Sequence, residues 1–437
     1  MFKFKIKNTA KGSLARTGTF TTPHGKIQTP IFMPVGTKAS VKTLSQKDLS
    51  TLDAEIILAN TYHLYLRPGE ALIKKMGGLH KWMNWNRPIL TDSGGYQVFS
   101  LAQGKGFTEN TPIKTEIKID ENGVKFKSHL DGSSHYITPE KAIKIQHDLG
   151  ADIIMAFDEC AQADSSEKYF EQAMNRTHNW LSRCKKEHEK LSEKQKVPQA
   201  LFGIVQGGMY KNLRIKSAKF VNSLKLPGNA IGGLSVGEGK KTMRKMIETV
   251  IPHLDKNRPR YLMGVGTPED LLECIDRGID MFDCVHPTRM ARHGAFFTKT
   301  GRFSIRNEKF KFDKTPPDKT CECETCKNYS KSYLRHLIFE NEISGLRLMT
   351  IHNVHFLLNL IREIRNHINK GTFKKFKKDF MSKYDHLEKS VEQKYSEKDK
   401  KKRPRMKVSG KSVFKLQQII LNNNDRISKR KNPKKNG

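Results

Sequence analysis

The chain has 437 residues, of which 36% are hydrophobic, enough for one large buried core with an appendage. Its 80 Lys and Arg residues outnumber 45 Asp and Glu residues, and the formal net charge of +35 favours a polyanionic partner such as nucleic acid over a coding bias towards lysine as sole cause. No run approaches the roughly 18 apolar residues of a membrane span, and the first seven residues alternate like an edge strand, unlike a signal peptide, so we expect neither a membrane span nor a signal peptide.

Eight apolar segments with strand character alternate with helical stretches along the first 284 residues. They cover residues 31–35, 54–59, 88–92, 152–158, 201–206, 229–233, 260–265 and 279–284. Helix starts between them are marked by Thr138-Pro139 and Thr267-Pro268, each a Thr N-cap followed by Pro in the first turn. This alternation predicts an α/β fold, a (β/α)8 TIM barrel over residues 1–320. A doubly wound parallel sheet is the alternative.

An insertion at about residues 103–136 interrupts the alternation. Polar and apolar residues alternate around Glu121-Asn122-Gly123, and a second turn signal follows at Asp131-Gly132. The pattern predicts an antiparallel β-hairpin with an Asn-Gly turn. We expect it to lie as a lid or side sheet at one end of the barrel.

Five of the predicted strands carry a polar or exposed-backbone residue at the carboxyl end. These residues are Asp92, Asp158, Gln206, Gly233 and Asp283. A single Asp at a strand end is more often a helix cap than a catalyst. Because the carboxyl ends of barrel strands meet at one mouth, however, all five together predict an active site.

The residue types at that mouth suit chemistry on a sugar bonded to a planar base. Two carboxylates can run a double displacement at an anomeric carbon, one attacking it and the other transferring a proton. A third carboxylate with an amide can read the donor edge of a purine-like ring. After Asp92, the flexible Ser93-Gly94-Gly95 backbone lets N–H groups approach a planar ligand, and Tyr96 offers a face for stacking.

Seven cysteines include three within six residues, Cys321, Cys323 and Cys326, a spacing typical of metal binding and not of a disulfide framework. An amphipathic helix predicted over residues 350–369 supplies His352 as the fourth ligand of a closed, structural Cys3His zinc site. His355 and His336 are weaker candidates, and unrelated free cysteines are the alternative. We therefore predict a zinc-binding subdomain with a C-terminal helix over residues 321–383, in a reducing, cytoplasmic environment.

The remaining residues, 384–437, are lysine-rich with few aromatics. From Gly371 to the end of the sequence there are 22 basic and 7 acidic residues. This composition predicts a basic, mobile tail.

Several motifs together resemble one known family. They are Thr91–Ser100, Phe157–Cys160, Gly203–Gly208, Gly232–Leu234, Asp280–Val285 and the cysteine cluster. From about residue 2 to about residue 380 the chain resembles the tRNA-guanine transglycosylases, the queuine tRNA-ribosyltransferases of bacteria. The resemblance implies a zinc-bearing barrel, usually a homodimer, in the queuosine pathway. Such an enzyme exchanges the wobble guanine of tRNAs with a GUN anticodon for 7-aminomethyl-7-deazaguanine, without a redox cofactor or ATP.

The resemblance also implies roles for individual residues. Asp283 would be the nucleophile and Asp92 the general acid/base. Residues that would bind the base are Ser93, Gly94, Gly95, Asp158, Cys160, Gln206, Gly233, Leu234 and Val236, with Tyr96 and Met263 stacked on its two faces. Residues that would contact RNA are Gly264, Val265, Gly266, Thr267, Pro268, Glu269, Asp270, Thr288, Arg289, Met290, Ala291 and Arg292.

The chain departs from the family pattern at His286, where an aliphatic residue is expected, and in its tail, which has no counterpart. Two other functions are weighed against the transglycosylase. A barrel glycoside hydrolase would be expected to show aromatic sugar platforms, but the only tryptophans are Trp82, Trp85 and Trp180. A non-catalytic tRNA-binding paralogue would be expected to lose the carboxylates, whereas Asp92 and Asp283 are present.

Removal of the residues after Lys383 should weaken tRNA binding and flatten its salt dependence, because lysines that neutralise phosphates release counterions. Turnover at saturating tRNA should persist. Binding titrations of the full-length and truncated proteins over a range of salt concentrations measure both effects. An unchanged salt slope would mean that the tail makes no phosphate contacts.

Overall fold

A computed structural model describes residues 2–102 and 117–384. The predicted tail, residues 384–437, therefore lies outside the described residues except for Tyr384, as does the first part of the predicted insertion, residues 103–116. Tyr384 itself is buried at the end of a helix. The described residues belong to one compact unit, and the predicted division at residue 320 stays a prediction.

The described residues form sixteen strands, fifteen α-helices and two short 3-10 helices, Ile251–His253 and Glu308–Phe310. In chain order the strands are β1 Lys3–Thr9, β2 Arg16–Thr22, β3 Gly25–Thr29, β4 Ile31–Gly36, β5 Ile57–Ala59, β6 Ile89–Thr91, β7 Lys118–Ile119, β8 Val124–Lys127, β9 Ser134–Ile137, β10 Ile153–Met155, β11 Ala200–Val205, β12 Gly228–Ile231, β13 Arg260–Leu262, β14 Met281–Cys284, β15 Ala295–Thr298 and β16 Gly301–Ser304.

In chain order the helices are α1 Gln46–Thr51, α2 Thr61–Leu66, α3 Glu70–Lys75, α4 Gly78–Met83, α5 Gly95–Ala102, α6 Pro139–Leu149, α7 Glu167–Ser192, α8 Lys211–Ser223, α9 Lys240–Val250, α10 Pro268–Asp276, α11 His286–Arg292, α12 Glu324–Asn328, α13 Lys331–Phe339, α14 Ile343–Asn369 and α15, residues 373–384. Among the described residues, no helix combines the length and the apolar character needed to cross a membrane.

Eight parallel strands close into a barrel in the order β4, β5, β6, β10, β11, β12, β13, β14. Closure comes from the pairing of β14 with β4, from Met281 opposite Ile31 to Cys284 opposite Pro34. All eight predicted strands are present, and the predicted TIM barrel is confirmed. The alternative of a doubly wound sheet is wrong, because such a sheet has two unpaired edge strands, whereas the observed barrel is closed.

Several barrel strands are shorter than predicted, as in β5, which begins at Ile57 and not at residue 54. Ala54 and Ile56 are buried, but they lie in the approach to the strand. Hydrophobicity indicates which residues are buried and not which residues pair in a strand. A prediction from hydrophobicity therefore makes the strands too long. The polar residues expected at the strand ends nevertheless lie within three residues of them or inside β14.

The antiparallel sheet β1–β2–β3 closes the amino-terminal end of the barrel, where Phe20 and Ile27 join the core inside it. Asp152, just before β10, accepts hydrogen bonds from His24 Nδ1 at 2.9 Å and His80 Nε2 at 3.1 Å. The two imidazoles stack with 3.5 Å between centroids and 13° between planes. The nitrogen lone pairs lie in the plane of each imidazole ring, so two stacked rings cannot both direct a lone pair at one metal ion. The three side chains therefore form a structural hydrogen-bonded cluster.

The insertion forms a three-stranded antiparallel sheet, β7–β8–β9, within the described residues. Asp120 closes the predicted Asn-Gly turn by accepting hydrogen bonds from the backbone N–H groups of Asn122 and Gly123. The sheet packs against α2, where Tyr62 OH lies 3.0 Å from His129 Nδ1. Since α2 follows the carboxyl end of β5, the insertion lies beside the barrel mouth.

Helix α14 begins at Ile343, seven residues before the predicted start at residue 350. Gly345 explains the early start, because a Cβ atom there would lie 2.6 Å from Leu337 Cβ on α13. The missing side chain lets α13 and α14 approach closely, and their packing extends α14 through a glycine that sequence propensity treats as a helix breaker.

Candidate active site at the barrel mouth

A cavity of about 270 Å³ lies at the carboxyl ends of the barrel strands. All five predicted strand-end residues line it. Its walls are formed by Val35, Leu58, Asn60, Asp92, Ser93, Tyr96, Gln97, Asp158, Cys160, Gln206, Gly232, Gly233, Leu234, Ser235, Val236, Tyr261, Met263, Gly264, Asp283, Cys284, Val285 and Arg289.

Asp92 follows β6 and is buried. Its carboxylate accepts hydrogen bonds from Asn60 Nδ2, from Thr61 N–H at 2.8 Å and from Gln97 Nε2 at 2.7 Å. Burial outweighs these donors and raises the pKa of Asp92 to about 6. A carboxyl group with that pKa can both donate and accept a proton near neutral pH.

Asp158 lies beyond β10 and is also buried. One carboxylate oxygen accepts a hydrogen bond from Ser93 Oγ at 2.9 Å, and the other accepts one from Gln206 Nε2 at 2.7 Å. Burial raises the pKa of Asp158 to about 6. Each oxygen keeps a second lone pair, so this carboxylate can accept hydrogen bonds from a ligand in the cavity.

Arg214, which is buried on α8, fixes the conformation of the backbone that follows β12. Its guanidinium donates to the carbonyl oxygens of Gly232 at 2.8 Å and Gly233 at 2.9 Å. Gly233 has φ +60°, and a Cβ atom there would lie 2.3 Å from Gln206 Oε1. The N–H of Gly233 and the carbonyl of Leu234 have no hydrogen bond to another described residue, so both can bind a ligand.

A carboxylate shapes the next turn. Glu238 accepts hydrogen bonds from the backbone N–H groups of Ser235 and, at 3.0 Å, Val236. Ser235 has φ +61°, an uncommon conformation for a residue other than glycine. Glu238 thus stabilises a strained turn and holds Val236 in the cavity wall.

Asp283 differs from the other two carboxylates because only one of its oxygens is engaged. Oδ1 accepts hydrogen bonds from Tyr261 OH at 2.6 Å and Gly264 N–H at 2.7 Å. Oδ2 has no hydrogen bond to another described residue. Burial raises the pKa of Asp283, and the two donors oppose that shift. The arrangement fixes the side chain and leaves one oxygen available for attack.

The predicted stacking pair is present at the cavity: Tyr96 is half exposed on α5, and Met263 lies just after β13. Cys160 also lines the cavity, and burial raises the pKa of its thiol to about 12. Cys160 is therefore a neutral thiol at physiological pH and not a second nucleophile.

The two predicted RNA-contacting stretches border the cavity, but only some of their side chains reach the surface. Gly264 and Arg289 are exposed, whereas Thr267, Glu269 and Arg292 are partly exposed. The buried members are Val265, Gly266, Pro268, Asp270, Thr288, Met290 and Ala291. The buried residues support the surface and do not present side chains to RNA. His286 is partly buried, with its ring centroid 6.4 Å from that of Phe297.

The predicted zinc ligands meet in one cluster. Nδ1 of the fully buried His352 lies 3.7, 3.6 and 3.2 Å from the Sγ atoms of Cys321, Cys323 and Cys326. Tetrahedral zinc with Zn–S bonds of about 2.3 Å and Zn–N bonds of about 2.0 Å has S···N edges of about 3.5 Å. The four ligand atoms therefore fit one zinc ion.

The surroundings of the cluster favour a structural site. His352 Nε2 donates to the carbonyl of Phe297 at 2.7 Å, which leaves Nδ1 as the ligand nitrogen. His355 Nδ1 lies 3.4 Å from Cys321 Sγ alone, and His336 is not part of the cluster. With four protein ligands, the site leaves no position for a substrate.

Sequence reasoning missed the side chains that hydrogen-bond to the cavity carboxylates and to the loop after β12. They are Asn60, Gln97, Arg214, Glu238 and Tyr261. Asn60 directly follows β5, so the strand-end criterion could have found it. Arg214 lies within a helix, and no local pattern indicates that it reaches the barrel mouth.

Comparisons with known proteins agree with this geometry. Residues 11–386 match the family model described as queuine tRNA-ribosyltransferase. A queuine tRNA-ribosyltransferase of Halothermothrix orenii is 52% identical over 381 residues, covering 87% of this chain and 97% of the relative. The one of Herpetosiphon aurantiacus is 53% identical over 370 residues, covering 85% and 90%. The one of Natranaerobius thermophilus is 51% identical over 381 residues, covering 87% and 98%.

Substitution of a zinc ligand should destabilise the fold without changing the chemistry directly. Cys323→Ser is expected to lose the metal and to lower the melting temperature and the soluble yield. Cys274→Ser, which alters a buried thiol outside the cluster, is the matched control and should retain one zinc per chain. Elemental analysis of freshly purified protein measures the metal, and active wild-type protein without zinc would contradict the assignment.

Proposed function

The chain belongs to the queuine tRNA-ribosyltransferase family, and we propose that its barrel-mouth cavity exchanges the wobble guanine of GUN-anticodon tRNAs for 7-aminomethyl-7-deazaguanine. It is a tRNA-guanine transglycosylase of the queuosine pathway. The observation that carries the residue assignments is the presence of three carboxylates in one cavity, each with a different set of hydrogen-bond donors. The matched relatives argue against a glycoside hydrolase, and the presence of both Asp92 and Asp283 argues against a non-catalytic paralogue.

In the first step, Asp283 attacks the ribose. Its Oδ2 forms a bond to the anomeric carbon while the bond from that carbon to guanine N9 breaks, and the carboxylate becomes a ribosyl ester. The leaving guanine takes a proton from Asp92. The hydrogen bonds from Tyr261 and Gly264 to Oδ1 support this role, because they orient the carboxylate without occupying the attacking oxygen.

In the second step, the new base replaces guanine. Asp92 takes a proton from the ring nitrogen of the incoming base. That nitrogen attacks the anomeric carbon, and Asp283 leaves as a carboxylate. Two displacements retain the configuration at the sugar. The ester conserves the energy of the glycosidic bond, so the exchange requires no nucleotide cofactor.

Base recognition is assigned to the opposite wall of the cavity. Asp158 accepts from the donor edge of the base, Gln206 contributes its amide, and the backbone of Gly233 and Leu234 supplies a donor and an acceptor. Tyr96 and Met263 stack on its faces. The charge on Asp158 supports this role, since a purine-like ring presents N–H donors that match a carboxylate.

The remaining proposals concern partners and location. Restriction to GUN anticodons, assembly as a homodimer and a cytoplasmic location follow from the family resemblance and from the use of tRNA as substrate. Exposed Phe312, which precedes the predicted zinc-binding subdomain, and Ile343, within it, supply apolar surface that dimer formation could cover. Light scattering of the purified protein measures the oligomeric state.

Asp283→Ala should abolish both labelled-guanine exchange and the covalent enzyme–RNA adduct on denaturing gels, because no neighbouring group replaces the carboxylate. Asp283→Asn, which keeps the shape, should behave in the same way. Asp92→Asn should slow exchange about 10²-fold or more, because the amide can neither donate a proton to the leaving guanine nor take one from the incoming base. An adduct in Asp283→Ala would disprove the nucleophile; an Asp92→Asn variant with normal rate but weak RNA binding would make Asp92 structural.

The pocket should discriminate between incoming bases through Val236. Family members that accept queuine are expected to carry Gly at this position, whereas Val fills the space beside the 7-substituent. Overpacking typically costs about 1–3 kcal/mol, roughly 10- to 100-fold in affinity. We expect good use of guanine and 7-aminomethyl-7-deazaguanine, poor use of queuine, and improved queuine use by Val236→Gly with Val236→Ala between them. Competition kinetics with free bases test this, and a wild-type preference for queuine would refute it.

A further inference from the structure

A second cavity, of about 360 Å³, lies on the zinc-binding side of the molecule. The hairpin β15–β16 forms one wall, and the segment between that hairpin and α13 forms the rest. Among the lining residues are Lys299, Phe303, Lys309, Asp318, Lys319 and Lys331. No step of base exchange uses them.

The charge around this cavity is strongly positive. Four lysines line it against a single carboxylate, that of Asp318, which accepts hydrogen bonds from the N–H and hydroxyl of Thr320 at 2.8 Å each. Lys299 and Lys331 pair with Glu363 and Asp313. Lys309 and Lys319 have no carboxylate partner among the described residues, so two ammonium groups are available to an anion.

Aromatic rings form the floor of the cavity between these lysines. Lys309 Nζ lies 5.2 Å from the centroid of Phe303 and 5.0 Å from that of Phe310. Of the eight cation–π contacts in the described residues, six lie between residues 303 and 339. Alternation of basic and aromatic groups is typical of surfaces that bind unpaired nucleotides, where bases stack and phosphates pair with cations.

The cavity is close in the fold to the catalytic mouth. Helix α11 carries Arg289, which lines the catalytic cavity, and it is seven residues, about 10 Å, long. Strand β15 begins three residues after α11 ends, and it pairs with β16, which carries Phe303. A tRNA bound at the catalytic cavity can therefore extend to this second cavity.

We propose that this cavity binds an unpaired nucleotide of the substrate tRNA other than the one that is exchanged, with its base against the partly exposed Phe303 and its phosphate on Lys309 and Lys319. The proposal rests on the proposed function. Charge complementarity favours RNA over a second copy of the chain as the occupant of this cavity, because two copies meeting here would bring their unpaired lysines together.

The test compares two double variants of the full-length protein. Lys309→Ala with Lys319→Ala removes the unpaired charges, and Lys26→Ala with Lys81→Ala removes two exposed lysines near the amino-terminal end of the barrel. The first should raise the Kd for tRNA at least about 5-fold and reduce the logarithmic salt slope by about 0.7, the value for one phosphate of a single strand. The control should leave both unchanged, and kcat at saturating tRNA should be unchanged in both.

A third variant separates stacking from charge. Phe303→Leu keeps the site apolar but removes the ring, and it should weaken tRNA binding at least about 5-fold without changing the salt slope. Equal Kd and slope in the lysine variant and its control would overturn the proposal. So would loss of dimers by light scattering with unchanged RNA affinity, which would assign the surface to a second chain. Failure of the proposed function is distinct, because wild-type protein would then show no exchange at any tRNA concentration.

Discussion

The pairing of β14 with β4 is the constraint on which the catalytic cavity depends. It closes the barrel by joining the last strand to the first, residues separated by about 250 positions in the chain. Around the closed ring, β6, β10, β11, β12 and β14 deliver or lead into Asp92, Asp158, Gln206, Gly233 and Asp283. An open sheet would place Asp283 at an unpaired edge, away from Asp92 and Asp158. Closure therefore converts strand-end side chains into one site.

Burial of three carboxylates in one cavity is costly, and the structure offsets that cost with donors placed differently for each group. Asp92 receives three donors, Asp158 receives one on each oxygen, and Asp283 receives both on Oδ1. Three aspartates thereby acquire different hydrogen-bonding environments. The proposed roles of Asp92 in proton transfer, of Asp158 in base binding and of Asp283 as nucleophile follow from where these hydrogen-bond donors lie.

The zinc cluster is connected to the same cavity through α14. His352, a zinc ligand, donates to the carbonyl of Phe297 on β15. Its neighbour Asn353 donates to the carbonyls of Pro287 and Ala295, both at 3.0 Å, and accepts from Phe297 N–H. These contacts fix α11, which begins three residues after Asp283, and the hairpin that forms the second cavity. A structural metal can thus support both the catalytic mouth and the adjacent lysine-rich surface.

The sequence by itself determined the barrel, the five strand-end residues and the three-cysteine cluster, whereas the structure decided that His352 is its fourth member. These features are local: strand hydrophobicity, a residue that follows a strand, and cysteines separated by one and two residues. Only the tertiary structure decided which donors reach each carboxylate. Tyr261 bonds Asp283 across 22 positions, and Arg214 reaches Gly233 from a neighbouring helix. The start of α14 at Ile343 likewise depends on packing against α13 at Gly345. Such contacts join distant segments, and neither periodicity nor spacing along the chain encodes them.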